Sequence, residues 1–530
     1  MIDTSKTGSR RLVILAVFLA GAAFMLFWNL GHYALWDDET MTALAAEGVI
    51  ETGDTSAVHG RNIAAYREGL LLKGLHDRST PPLASYLAAV SLKAFGPSAL
   101  AARIPFAVLG FSLMLFAAAV IWRSDSSLLS TFLWSAAILG NTSLMLFLRQ
   151  CRYYSPVILL SVLIGFLYLK WEKGFSRLAA LSFLSFLLFA ANSMNWLALW
   201  ACLLVDYLFW KRKSEPIGVG QAIAVIAIQG LLCGLLALIW NPFFTRFGPS
   251  VHAGSGWDRF ELFYWNLRDL NAAEFMAGGL VLLAIPVAVL RRDSWLMRGL
   301  VAIVVFVGVV SLVSPQTIAS TRVADVRYLA PLIPVGIGVG VRLLTLLLSN
   351  AAGWAVVVAL VAFWTNILNG TIIKEGLRSV PAEYLHELLT PNQEPYTPVI
   401  AWVDSHVKEG ESIWVLPDHM AYPLMFHAPQ AVYAWQLARS QRSDPEFKDL
   451  PAIHFKGVQS PDYLVVFGPA VTAVRSLIRN WKAAGVDYQE VGRIDAFWKD
   501  LYRPELFWRT FTPILNYDPE TQAIYIFKKS

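Results

Sequence analysis

Apolar residues run almost unbroken from 12 to 30, and the pattern recurs over two thirds of the chain. A polar stretch covers 32–80, followed by Pro81-Pro82-Leu83 and a short apolar segment that ends near Phe95-Gly96-Pro97. Further apolar runs cover about 98–122, 127–147, 153–171, 178–192, 196–210, 217–240, 275–290, 298–314, 328–348 and 352–369. A helix needs about twenty apolar residues to cross a bilayer, so the pattern predicts about eleven spans, the first run included. The segment 83–95 is too short for that and amphipathic, and is expected to lie along the outer membrane surface. Lys6, Arg10, Arg11 and Ala20-Gly21-Ala22 imitate a signal peptide. The apolar run continues past that site, which predicts an uncleaved span with its N-terminus inside.

Charge tests the count. Arg123, then Lys170, Lys173 and Arg177, then Lys211-Arg212-Lys213, then Arg291, Arg292 and Arg298 all fall on the side of the N-terminus. Were 83–95 a span, every cluster would face outward, against the positive-inside tendency. The chain therefore ends outside, with outer loops at 31–97, 148–152, 193–195, 241–274 and 315–327. The 241–274 loop carries His252, Trp257, Asp258, Arg259, Glu261, Tyr264, Trp265 and Arg268 and reads as a surface-lying amphipathic piece.

Past about 369 the chain turns polar. This predicts a membrane domain over 1–369 and an extracytoplasmic α/β domain over 370–530. Ser412-Ile413-Trp414-Val415-Leu416, Tyr463-Leu464-Val465-Val466-Phe467 and Ala523-Ile524-Tyr525-Ile526-Phe527 read as strands, and 470–484 as an amphipathic helix. The domain has no glycine-rich phosphate fingerprint and no metal-spaced His/Cys cluster.

Composition agrees. With 56% hydrophobic residues and a mean hydropathy of +0.51 over 530 residues, a soluble protein is excluded, because so much apolar surface could not be hidden from water. The net charge of +5 says little as a total, and no nucleic-acid partner is read from it. Cys151, Cys202 and Cys233 all lie outside the polar C-terminal region, so neither a disulfide framework nor a cysteine metal site is expected.

Trp36-Asp37-Asp38-Glu39 closes the first apolar run, placing three carboxylates at a membrane boundary. One or two of them can simply complement the dipole of the helix that follows, at about 0.3–1 kcal/mol each. The alternative is a general base facing an outer cavity. Arg149 and Arg152 occupy the outer end of a hairpin, and Arg327-Tyr328 opens a later span on the same side. Each arginine reads either as a snorkelling anchor or as part of a site, since ionisable groups at membrane depth are costly. Arginines hold a lipid phosphate by fork-like hydrogen bonds, and a carboxylate takes a proton from a hydroxyl nucleophile.

These motifs carry a resemblance. Trp36-Asp37-Asp38-Glu39 after a first span resembles the Asp-Glu motif of the GT-C glycosyltransferases, in the branch of the protein O-mannosyltransferases and the lipid A aminoarabinose transferase. His76-Asp77-Arg78-Ser79-Thr80-Pro81-Pro82-Leu83, Phe95-Gly96-Pro97 and Ala102-Arg103-Ile104-Pro105 resemble that branch's outer-loop pattern, with Thr80 where many members have Lys. Arg152-Tyr153-Tyr154-Ser155-Pro156 matches the same variant, without the Asp that others carry in this loop. Arg327-Tyr328-Leu329-Ala330-Pro331-Leu332-Ile333-Pro334 is similar to a late-span motif. The resemblance covers about 10–350.

The resemblance implies a GT-C polytopic helical bundle in the inner (cytoplasmic) membrane, with the C-terminal domain periplasmic. It implies inverting transfer of a sugar from a polyprenyl-phosphate donor to an acceptor glycan, lipid or protein, with no nucleotide and no cofactor. Asp38 is then the base and Glu39 its neighbour or an acceptor-positioning group, while Asp37 is a wet helix-start residue. Arg152, Arg149 or Arg327 stabilises the departing phosphate. Tyr153 and Tyr328 accompany them as substrate-binding residues. His76 touches a substrate or orders its loop. His59 and Lys73 are weaker candidates, and His419 and His427 read as structural or solvent-facing. A lipid-linked sugar flippase would share the basic cavity, but internal repeats and broken midplane helices are not evident. A metal-dependent oligosaccharyl transferase would need a second acidic motif beside the triplet, and no metal site is expected.

The topology is tested by labelling intact cells with a membrane-impermeant thiol reagent. A cysteine at Ser214→Cys, beside Arg212, should stay unmodified, whereas one placed in the polar stretch before 78 should react. Outside labelling at Ser214→Cys would overturn the parity assignment.

Overall fold

Inside a bilayer a segment must satisfy its own backbone polar groups, so the apolar runs fold as helices. The computed structural model describes residues 4–78, 81–124, 127–170, 175–213, 218–240, 256–273, 278–314, 326–348, 353–358, 379–391, 394–468, 470–495 and 523–530. The helices begin with α1 (Thr4–Phe27), α2 (Asp37–Thr52), α3 (Leu83–Phe95), α4 (Ala99–Arg123) and α5 (Leu128–Leu139). They continue with α6 (Thr142–Arg149), α7 (Tyr154–Leu169), α8 (Phe175–Ala191), α9 (Ser193–Asp206) and α10 (Val219–Ile239). The helices Gly256–Ala273, Gly278–Arg291, Ser294–Val313 and Ile333–Leu347 follow.

Among the described residues, five helices are long and apolar enough to cross a membrane, or six if α5 and α6 count as one broken span. The chain is a multi-pass membrane protein. Several other expected spans form apolar helices of only 10–17 residues, Tyr154–Leu169 and Ile223–Ile239 among them. The run 352–369 falls largely outside the described residues. The run 127–147 is not one straight span. It bends by 58° between α5 and α6, where the Asn141 side chain accepts from the Leu144 N–H and starts a new helix. Asn192 caps α9 in the same way, accepting from Met194 and Asn195. The 83–95 segment forms a 13-residue helix, too short to span.

The chain divides into two compact units. The first contains Met1–Trp28 and Phe106–Thr390 and holds most of the apolar helices. There α1 packs on α5 and α6, α7 on α8, and α9 on Ser294–Val313. Within it Arg298 forks onto Asp206 at 2.6 and 2.7 Å, and the Tyr168 hydroxyl donates to the same carboxylate.

The second unit is discontinuous in sequence, joining Asn29–Pro105 to Pro391–Asp500 and the last strand. Its outer segment carries α2, α3 and two small antiparallel hairpins, β1 (Val58–His59) with β2 (Asn62–Ile63), and β3 (Leu72–Lys73) with β4 (His76–Asp77). Its later residues form a five-stranded sheet of β5 (Ser412–Leu416), β6 (Val432–Tyr433), β7 (Tyr463–Phe467), β8 (Tyr488–Asp495) and β9 (Ala523–Lys529). The strand order is β6-β5-β7-β9-β8, parallel from β6 to β7 and antiparallel beyond. The three strands and the helix expected from sequence all form, the helix as Ala470–Ala483. Its Leu477, Ile478 and Trp481 cover a core of Trp414, Trp435, Leu464, Val466 and Phe527. A second core mixes the two ends of the sequence, with Ala57, Ile63, Ala65 and Leu72 packed on Leu437, Phe447 and Phe455.

Glu47 lies in the last turns of α2, where burial and then the charge of Glu51 one turn on raise its pKa from 4.5 to about 7. For a carboxyl raised in the folded state, the stability contribution is complete below 4.5 and lost as pH rises through 7. Glu47→Gln should therefore remove a pH-dependent penalty of roughly 1–3 kcal/mol. Thermal melts at pH 4.5 and 7.5 check this: the parent should lose stability across the interval and the variant should lose less. Parallel losses would assign the pH dependence elsewhere.

Candidate active site

The acidic triplet begins a helix without a conventional cap. Trp36 is extended, and its side chain makes no cap hydrogen bond. Its carbonyl accepts from the Thr40 N–H at 2.9 Å and from Thr40 Oγ1 at 2.7 Å. Asp37, Asp38 and Glu39 fill the first turn of α2, where negative charge complements the dipole. The three carboxylates then diverge. Asp37 Oδ1 accepts from the Asp38 N–H at 2.9 Å. Glu39 has 0% exposure and meets the guanidinium of Arg103, itself 6% exposed. Asp38 sits between them, half-buried.

Arg103 uses all five of its N–H donors. Nε and Nη2 grip the two Glu39 oxygens at 2.9 and 2.5 Å. Nη1 donates to the carbonyls of Leu30 and Tyr33 at 3.1 and 2.9 Å, and Nη2 to that of Ala34 at 3.1 Å. One side chain on α4 thus ties the turn entering α2 to the first turn of α2. Gly31 is needed here, since a Cβ on it would stand 2.7 Å from Leu100 Cβ. The sequence displays Arg103 within Ala102-Arg103-Ile104-Pro105, but only the fold shows which carboxylate it meets.

His76 lies on β4 beside a second ion pair. Arg78 forks onto Asp54 with two bonds of 2.7 Å and adds Thr55 Oγ1 at 2.9 Å. Those bonds are the largest cause of an Asp54 pKa lowered to about 2. His76 Nδ1 stands 3.7 Å from the same carboxylate, with about a third of its side chain exposed. His59 is different: neither ring nitrogen has a partner, and burial lowers its pKa to about 4. Lys73 and His419 are exposed. His427 is half-buried and accepts from the Leu35 N–H, directly upstream of the triplet.

The arginines belong to the other unit. Arg149, at the end of α6, donates to the carbonyls of Met25 at 3.1 Å and Trp28 at 2.7 Å and to the Tyr384 hydroxyl at 3.2 Å. This is a cation at the C-terminal end of α1, where the dipole favours it. Arg152 is buried, with its guanidinium 5.4 Å from the Tyr153 ring. Arg327 lies in the 3-10 turn Val326–Leu332, 5.6 Å from the Tyr328 ring. Both guanidiniums and Tyr328 act electrostatically on the buried Tyr153 hydroxyl, so Arg152, Tyr153, Arg327 and Tyr328 form one cluster. Asn195 fixes its far side by donating to the Tyr328 carbonyl at 2.7 Å. Among the outer-loop residues, His252 lies outside the described residues.

Compared by sequence, the chain matches no family model and no curated protein. Among solved structures it is similar to ArnT from Cupriavidus metallidurans bound to undecaprenyl phosphate. The identity is 13%, 97% of each chain is covered, and the TM-score is 0.50. The apo state of the same enzyme aligns over the same shares at 13% identity and a TM-score of 0.49. The apo oligosaccharyltransferase of Archaeoglobus fulgidus aligns over 86% of this chain and 69% of that one, at 10% identity and a TM-score of 0.45. The first likeness shows the fold: the chain has the GT-C architecture expected from its motifs.

Removing one partner of a buried pair leaves the other charge stranded, at about 3–5 kcal/mol, whereas replacing both is far milder. Arg103→Leu should therefore lower the melting temperature of the detergent-solubilised protein more than Arg103→Leu combined with Glu39→Leu. A double variant as unstable as the single one would show that the backbone carbonyls, not Glu39, are what Arg103 serves.

Proposed function

We propose that the chain is an inverting glycosyltransferase that moves a sugar from a polyprenyl-phosphate donor to an acceptor hydroxyl at the outer face of the inner membrane. The observation that carries the reading is the anchored acidic turn. Arg103 and Glu39 fix the start of α2 while Asp38 stays half-buried beside them. In this reading a structural clamp and the reactive carboxylate share one turn. Arg152 and Arg327 both act on Tyr153 and are side chains of the kind that recognise phosphate, and the ArnT structure of like fold carries undecaprenyl phosphate.

In the proposed step the acceptor oxygen attacks the anomeric carbon as Asp38 takes the hydroxyl proton. The bond from that carbon to the phosphate oxygen breaks, and the electron pair leaves on the polyprenyl phosphate. Arg152 and Arg327 stabilise that growing charge, with Tyr153 and Tyr328 stacked against them. Glu39 positions Asp38, His76 contacts substrate, and Arg149 braces the hairpin that carries Arg152. The membrane domain of this reading spans 1–369 with about eleven crossings. The domain over 370–530 is periplasmic, the N-terminus cytoplasmic, and the acceptor a glycan, lipid or protein.

Asp38→Asn decides the matter. Asn keeps the shape but takes no proton, so transfer by purified protein should fall about 10²–10⁴-fold, with donor binding and thermal stability near those of the parent. In the same assay Arg152→Lys should fall between the parent and Arg152→Ala, because an ammonium cannot reproduce a bidentate phosphate contact. Parental transfer by Asp38→Asn would remove it from the mechanism.

A further inference from the structure

We infer that His427, carried by the C-terminal α/β region, is a positioning residue for the acidic turn, acting through the backbone of Leu35. The inference rests on the reading of Asp38 as the base.

The Leu35 N–H donates to His427 Nε2 at 3.1 Å. An imidazole nitrogen accepts only when it carries no proton, so His427 is neutral with its proton on Nδ1. Burial, and then the charge of Arg103, lower its pKa to about 4, with Glu39 and Asp404 opposing. The tie therefore persists at any pH well above that value. The turn entering α2 is gripped from two directions: Arg103 takes the carbonyls of Leu30, Tyr33 and Ala34, and His427 takes the next amide, that of Leu35. Two residues further on is Asp37, and then Asp38.

The helix bearing His427, Ala421–His427, is itself held against this region. It packs on α2. Its Tyr422 is buried, and burial, then the charges of Asp418, Tyr66, Asp77 and Asp37, keep the proton on its hydroxyl. Further ties fix the same C-terminal region to the outer segment. The Asn62 side chain donates to the Ala431 carbonyl at 2.9 Å and accepts from the Tyr433 N–H at 2.8 Å. Lys456 bridges Glu68 and Asp418 at 2.6 and 2.8 Å. The Leu75 N–H donates to Glu446 at 2.9 Å. His427 is thus a fixed strut with its tip on the backbone leading into the triplet.

The test compares His427→Leu, which removes the acceptor, with His427→Gln, which keeps one. It reads amide hydrogen exchange and transfer kinetics on the full chain in detergent. In His427→Leu, exchange of the amides of 35–40 should speed up at least about tenfold. Its kcat should fall about 10- to 100-fold, the scale of a small misplacement of a reacting group, while donor KM stays within about threefold. His427→Gln should recover both. If His427→Leu does not fold, His427→Asn, polar but too short to reach Leu35, takes its place. Unchanged exchange at 35–40 overturns the inference, and so does faster exchange with parental kcat. Failure of the parent reading is seen separately: parental turnover by Asp38→Asn removes the base but leaves the exchange result standing.

Discussion

The carboxylate of Glu39 and the guanidinium of Arg103 are both withdrawn from water, and a buried charge is tolerated only when paired and hydrogen-bonded. That constraint organises the outer segment. Because the fork uses three of Arg103's five N–H groups, two on Glu39 and one on Ala34, the other two are left to seek carbonyls, and they find Leu30 and Tyr33. A lysine, with three donors on a single nitrogen, could not gather the same five acceptors. The start of α2 is consequently set by a side chain 64 residues away, and the neighbouring carboxylates inherit that placement.

The same physics distinguishes the three outer arginines. Arg149 spends its donors on carbonyls at the end of α1 and on Tyr384, so it works as a helix terminator and a brace. Arg152 and Arg327 instead lie beside tyrosine rings around the buried Tyr153. An aromatic face adds cation–π attraction to such a guanidinium.

The C-terminal region looks in sequence like a module appended to a membrane protein. In the fold it shares a hydrophobic core with the outer segment, Phe455 and Leu437 packing on Ile63 and Leu72. Polar ties through Asn62, Lys456 and His427 add direction to that apolar contact. Neither half buries this core by itself, which explains why the outer segment can carry such short hairpins. Two-residue strands are marginal in isolation and persist here because their apolar residues are covered.

Sequence alone determined the membrane class, the apolar helices, the three strands and amphipathic helix of the C-terminal region, and the GT-C architecture. All but the last follow from periodicity and span length, which act over a few turns of chain; the GT-C architecture was implied only by the resemblance of four motifs to that family. It also marked the acidic triplet and the arginines, since charge at a membrane boundary is conspicuous. It did not decide which carboxylate is clamped, that Arg149 caps α1, that α5 and α6 bend apart at Asn141, or that His427 touches the backbone ahead of Asp37. Those outcomes depend on partners 64, 124 and 392 residues away, or on how neighbouring helices pack. Tertiary structure chose among them because a buried donor or charge must find its partner wherever the fold supplies one, and sequence distance carries no energy of its own.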